Sequence, residues 1–197
     1  MIGTRHTSTS RPRTAVGKDW INFLGVVPMA AGAALLHRHL WAAGALTQLA
    51  LGAAIAAYLW VATRRLTSLE LLGLGLAVAS VVSYFGLGST LLLGRFAPAV
   101  FGLVALQIGY SLVRGEPWTM QFSKRTRPPE VWGDPRFVAG NREATGAWGA
   151  CFLACCLLTL LAPDTRLATV GPIALVALTI KYTGEISARA RRRAQQV

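Results

Sequence analysis

Apolar residues gather in six runs along the chain, at 20–36, 41–62, 67–85, 96–113, 146–162 and 167–184. Each run approaches the roughly 20 residues that carry a helix across a hydrocarbon core. The polar stretches at His37–Leu40, Gly86–Arg95 and Pro163–Arg166 are short, which makes consecutive helices antiparallel neighbours in a bundle. The pattern therefore predicts an all-α, polytopic membrane helical bundle of six transmembrane helices. Residues 1–17 form a mobile basic tail, 18–186 the membrane domain with a loop at 114–145, and 187–197 a second basic tail. Asp19 is a plausible N-cap for the first span and Asp164 for the last. Trp20, Trp41, Trp60 and Trp148 fall at span ends, where interfacial aromatic anchors belong.

Charge gives the bundle a direction. Of the 20 Lys and Arg residues, 17 lie in alternate gaps. They are Arg5, Arg11, Arg13 and Lys18; Arg64 and Arg65; Arg114, Lys124, Arg125, Arg127, Arg136 and Arg142; and Lys181, Arg189, Arg191, Arg192 and Arg193. Only Arg38, Arg95 and Arg166 remain for the other side. Cations are retained on the cytoplasmic face during insertion, so both termini are predicted inside. The net charge of +12 is used up by this rule and by attraction to anionic headgroups, and nucleic-acid binding is not predicted. The long basic leader and the lack of a small-x-small site argue for a retained first span rather than a cleaved signal.

Small residues at four-residue spacing, Gly73/Ala77, Gly75/Ala79/Ser83, Gly52/Ala56 and Ala53/Ala57, are candidate packing seams. Pro28, Pro98 and Pro172 fall within spans one, four and six, where a proline removes a backbone donor and bends a helix.

Candidate chemistry is sparse. No ionisable residue falls near a span centre, where it would mark an ion path. Glu70 lies in the first turn of span three, where the helix N-terminus favours negative charge. Lys181 and Glu185 are spaced to pair at the inner edge of span six. Less costly polar residues, among them Asn22, Gln48, Ser80, Ser83, Tyr84, Gln107, Tyr110, Ser111 and Tyr182, line the predicted interior. Interhelical hydrogen bonds explain them, and a polar conduit through Gln48, Tyr84, Gln107, Tyr110, Lys181 and Glu185 is the sharper alternative. Cys151, Cys155 and Cys156 fall inside span five and read as packing residues. His37 and His39 lack a third ligand. Catalytic serine and phosphate-loop signatures do not occur. No catalytic residue, cofactor or metal is predicted.

The segment 114–145 is the least ordinary. Trp118, Phe122, Trp132 and Phe137 interleave with cations, and prolines at 128, 129 and 135 restrict it. Such a segment serves as a lid, a lipid contact or a partner-docking surface, or else packs under its own bundle. Within it, Pro117-Trp118-Thr119, then 129–137 (Pro-Glu-Val-Trp-Gly-Asp-Pro-Arg-Phe), then Asn141-Arg142 and Trp148 resemble bacterial inner-membrane proteins similar to the intracellular septation protein A family. The similarity covers about residues 110–160, with hydropathy alone matching elsewhere. It implies an envelope- or division-associated membrane protein acting through partners, and no catalytic residues.

Two functions compete on these grounds. The first is a non-enzymatic scaffold or accessory subunit of the bacterial inner membrane. It would touch anionic lipid and a membrane-protein partner or a second copy through Trp118, Phe122, Trp132, Asp134, Arg136, Phe137, Asn141 and Arg142. The second is a small-solute channel or transporter using the interior polar positions.

Overall fold

A computed structural model of the protein describes residues 24–163 and 165–194. The basic tail, Asp19, Trp20, Asn22 and Asp164 lie outside the described residues. Every regular element among the described residues is helical: α1 Val27–His37, α2 Trp41–Thr63, α3 Ser68–Val81, α4 Leu91–Gly94, α5 Phe96–Val113, α6 Met120–Thr126, α7 Pro135–Leu161 and α8 Arg166–Ala194. A π-helical turn, Val82–Gly86, extends α3, and a 3₁₀ turn, Pro129–Val131, precedes α7.

Five helices are long and apolar enough to cross a membrane: Trp41–Thr63, Ser68–Gly86, Phe96–Val113, Pro135–Leu161 and Arg166–Ile186. The chain is an all-α, multi-pass integral membrane protein. The apolar helix Leu24–His37 is shorter. At 1.5 Å per residue it reaches about 20 Å, short of the ~30 Å hydrocarbon core; the start of the predicted first span lies outside the described residues.

The helices form two sets of three, α1–α2–α3 and α5–α7–α8, each with its second helix in the middle. The sets meet along a narrow seam between α3 and α5. A continuous core crosses that seam, running from Met29, Leu36 and Ala45 through Leu69 and Leu76 to Phe96, Val100, Val104, Ile108 and Trp118. Large apolar side chains such as Val61, Leu106, Val113 and Ile173 point outward, as a lipid-facing surface requires.

Two predicted boundaries move. The segment 114–145 is not a loop throughout, because α7 begins at Pro135, well before the predicted span at 146. Its start is set by Asp134, whose carboxylate accepts the Arg136 N–H at 2.8 Å, and by proline at the first helical position, where no backbone donor is lost. Likewise α8 runs on to Ala194 through part of the predicted tail. Two of the prolines open helices rather than bend them: Pro28 lies in the first turn of α1 and Pro98 is the third residue of α5. Pro172 alone sits inside a helix.

Of the four small-residue seams, two make close contacts. Gly52 faces Leu74 and Pro28, and Gly73 faces Met29; their companions Ala56 and Ala77 are buried. Gly75/Ala79 and Ala53/Ala57 face outward. The tightest approach is one that spacing does not mark. Gly32 of α1 lies against Gln48 of α2, so that a Cβ there would stand 1.9 Å from Gln48 Cγ and 2.3 Å from Nε2. Replacing Gly32 by Ala therefore overpacks the α1–α2 contact, at a cost of about 1–3 kcal/mol. The variant should melt earlier in detergent, and adding Gln48→Ala should restore most of the loss. An unchanged melting temperature for Gly32→Ala would show that the contact yields freely.

Candidate functional site

The polar groups of the bundle concentrate at the end that holds the α2–α3 turn and α6. Thr67 and Glu70 form a capping box at the start of α3, a Thr-x-x-Glu pairing that satisfies backbone donors left open at a helix N-terminus. The Glu70 carboxylate accepts the Thr67 backbone N–H and hydroxyl on Oε2. Arg125 of α6 reaches the same carboxylate with both ends of its guanidinium, Nη1 to Oε1 at 3.0 Å and Nη2 to Oε2 at 2.8 Å. Both side chains are 2% exposed. Arg125 Nη2 also donates to the Arg65 carbonyl at 3.1 Å.

Burying two charges is costly unless geometry and hydrogen bonding compensate. Here the fork is bidentate, the helix N-terminus adds positive potential, and four donors converge on the carboxylate, three of them on Oε2 and one on Oε1. A carboxylate gripped by both ends of one guanidinium and by its own capping residue is a structural lock. Across α3, α6 and the α1 entry the packing is equally close. A Cβ on Gly25 would meet Glu70 Cγ at 3.1 Å, and a notch lined by Gly25, Pro28, Gly52, Glu70 and Gly73 has room for about one water.

Around this lock, α6 is stitched to both helix sets. Gln121 Oε1 accepts the Ser68 N–H at 2.7 Å. Gln107 of α5 donates to the Ser68 carbonyl at 3.3 Å, while its Oε1 accepts the Trp118 indole N–H at 3.2 Å. On the other side, the Thr119 hydroxyl donates to the Asn141 carbonyl at 2.8 Å. That leaves the Thr145 hydroxyl to donate to Thr119 Oγ1, 2.9 Å away. The Thr119 N–H donates back to Thr145 Oγ1 at 3.1 Å. Ser123 donates to Asn141 Oδ1 at 2.9 Å. Trp118 is buried and meets Phe122 and Phe152 edge-on, at 4.8 and 6.3 Å between ring centroids.

The predicted contact residues thus divide. Trp118 and Asn141 are buried, and Phe122 packs on the core from a partly buried position; these three hold the segment in place, and Trp118 and Asn141 are not an outer contact surface. Asp134, Arg136 and Arg142 are exposed, while Trp132 and Phe137 are half-buried. Trp132 lies beneath two cations, with Arg65 Cζ 4.9 Å and Lys124 Nζ 5.5 Å from its ring centroid. Its indole N–H donates to the Arg127 carbonyl at 3.1 Å. Of the predicted anchors, Trp60 is exposed at the end of α2, but Trp148 turns inward and stacks on Phe152 at 5.4 Å.

The interior polar residues do not converge. Gln48 is 2% exposed and neither amide atom has a hydrogen-bond partner among the described residues; Ser80 Oγ is likewise unpartnered. Gln107 belongs to the α6 network. Tyr84 is half-buried and packs on the core. Tyr110 is 61% exposed, outside the interior, where its hydroxyl accepts from Arg114 at 3.0 Å. One helical turn separates the two, and the bond holds the Arg114 guanidinium above its ordinary value. Lys181 and Glu185 are exposed, while Tyr182 donates to Glu143 across α7 and α8 at 3.0 Å. Cys151 and Cys155 are buried among packing residues, and the Cys156 thiol donates to the Pro98 carbonyl at 3.5 Å.

Sequence reasoning singled out neither Arg125 nor Gln121, which sit more than fifty positions from their partners on α3. The signals that point to them are the Thr-x-x-Glu spacing at 67–70 and the presence of one acid at the edge of an apolar run, which needs a partner.

Comparison of the chain with protein-family models, with curated proteins and with solved structures finds no match.

Removing one member of the lock leaves a buried charge alone, which costs about 3–5 kcal/mol. Glu70→Gln and Arg125→Met should each lower thermal stability in detergent and open the α6 segment to limited proteolysis near Lys124. The double variant should lose less than the sum of the singles. Strict additivity would show that the two side chains do not act together.

Proposed function

We propose that this membrane protein is a non-enzymatic scaffold or accessory subunit of the bacterial inner membrane. In this reading it has six spans with both ends inside, and its 114–145 segment forms a platform on the cytoplasmic face. The observation that carries the reading is the rigidity of that segment. Side-chain hydrogen bonds to α3, α5 and α7 fix α6, so Trp132, Arg136, Phe137 and Arg142 are presented on a held surface. A held aromatic and basic surface suits recognition, since little ordering entropy is lost on docking. The cation distribution supports the inward orientation, and the resemblance over 110–160 supports an envelope- or division-associated setting. The pairing of Glu70 with Arg125 and the scattered interior polar groups favour a structural over a catalytic role.

Tagged protein recovered from its native membrane in mild detergent should carry stoichiometric partners. Trp132→Ala/Arg136→Ala should reduce them at least about fivefold, the effect of losing an aromatic and an arginine anchor, with the protein still folded. A solitary protein in both preparations would count against the scaffold.

A channel or transporter is the second reading, and Gln48 is what favours it: a buried amide without a partner is costly and persists where it is used. If solute passes Gln48, Gln48→Leu abolishes flux in liposomes. If the amide is only packed, the same change raises stability by about 1–3 kcal/mol and leaves partner recovery intact.

A further inference from the structure

We infer that Arg65, Lys124 and Trp132 form a discrete site for the phosphate of an anionic phospholipid headgroup. The inference rests on the membrane-platform reading above and names one partner of that surface. Two cations share one indole ring, Arg65 at 4.9 Å and Lys124 at 5.5 Å from its centroid. The ring attracts each of them but cannot neutralise either. Neither Arg65 nor Lys124 forms an ion pair with a carboxylate of the described residues. The nearby Glu130 is exposed and pairs with neither.

The cluster is also built rather than incidental. The Arg65 carbonyl is held by Arg125 and by the Thr63 hydroxyl, Trp132 by its bond to the Arg127 carbonyl, and Lys124 by the helix that Arg125 locks to α3. Two like charges held against one indole ring without a counterion are an anion site in waiting. The position identifies the anion. Arg65 follows the end of α2 directly, where Trp60 is 51% exposed and Val61 70% exposed. That is the level at which a lipid-facing helix meets the headgroups. A headgroup phosphate there can accept from the guanidinium and the ammonium while its acyl chains lie along the outward face of α2.

The test uses the purified full chain in zwitterionic phosphatidylcholine nanodiscs, titrated with phosphatidylglycerol and read by native mass spectrometry and melting temperature. Wild type should retain one phosphatidylglycerol in preference to phosphatidylcholine by about thirtyfold, the scale expected from two near-surface cations. Arg65→Gln/Lys124→Gln should erase that preference, whereas Arg114→Gln/Arg127→Gln, at two other exposed cations and with the same loss of charge, should keep it. Should the first variant melt abnormally, Lys124→Gln alone carries the test, because its ammonium makes no hydrogen bond among the described residues. Equal losses in the two double variants would overturn the site in favour of diffuse attraction. Inorganic phosphate giving the same shift without phosphatidylglycerol would overturn the lipid as its ligand. No partner protein is present in this measurement, so its failure leaves the pull-down result standing, and a failed pull-down leaves the lipid result standing.

Discussion

The bidentate pair between Glu70 and Arg125 is the constraint on which the inner architecture depends. In lipid the tails are as apolar as the helices, so packing alone gives weak preference for one arrangement over another. The two helix sets of this bundle meet chiefly along the narrow α3–α5 seam. What fixes them is α6, a seven-residue helix that follows α5 in the chain, grips α3 through Arg125 and Gln121, and grips α7 through Thr119 and Ser123. A short helix has little stability of its own. Its position comes from side chains that would be costly to bury unpaired.

Hydropathy made the membrane-spanning runs legible because the bilayer imposes a length and a composition on each crossing. The runs at 41–62, 67–85 and 96–113 match α2, the α3 extension and α5 closely. The start of α7 and the end of α8 were not legible, since a helix that leaves the apolar layer continues in polar sequence. Asn141, Arg142 and Glu143 look like loop residues but lie in α7. Proline was misleading for a related reason. Its effect depends on its place in the helix, and Pro28 and Pro98 occupy first turns.

The site was legible in kind but not in geometry. Aromatic and cationic residues at 114–145 announced an ordered segment, and packing beneath its own bundle was one of the alternatives that the sequence allowed. Which side chains faced inward was hidden, because α6 is too short for a periodic signal and its partners are distant in the chain. The residues from Trp118 to Trp148 show the division clearly. Trp118, Thr119, Asn141 and Trp148 are spent on internal hydrogen bonds and ring contacts. Asp134 caps a helix. Arg136 and Arg142 face outward. A pattern of this type reports first on how the segment is held and only second on what it touches.

The same division applies to the positive charge. Counted from sequence, Arg125 is one more cation retained on the inner side; in the fold its charge is neutralised by Glu70 and contributes nothing to the surface field. Arg65 and Lys124 flank it in space but keep their charges unpaired, held against Trp132 by the segment that Arg125 locks. Buried and exposed cations here are therefore coupled. The inward guanidinium sets the position of α6, and the position of α6 sets the spacing of the outward pair. Surface charge that depends on an internal lock has a defined geometry, which separates a headgroup site from the general attraction that any basic membrane loop exerts.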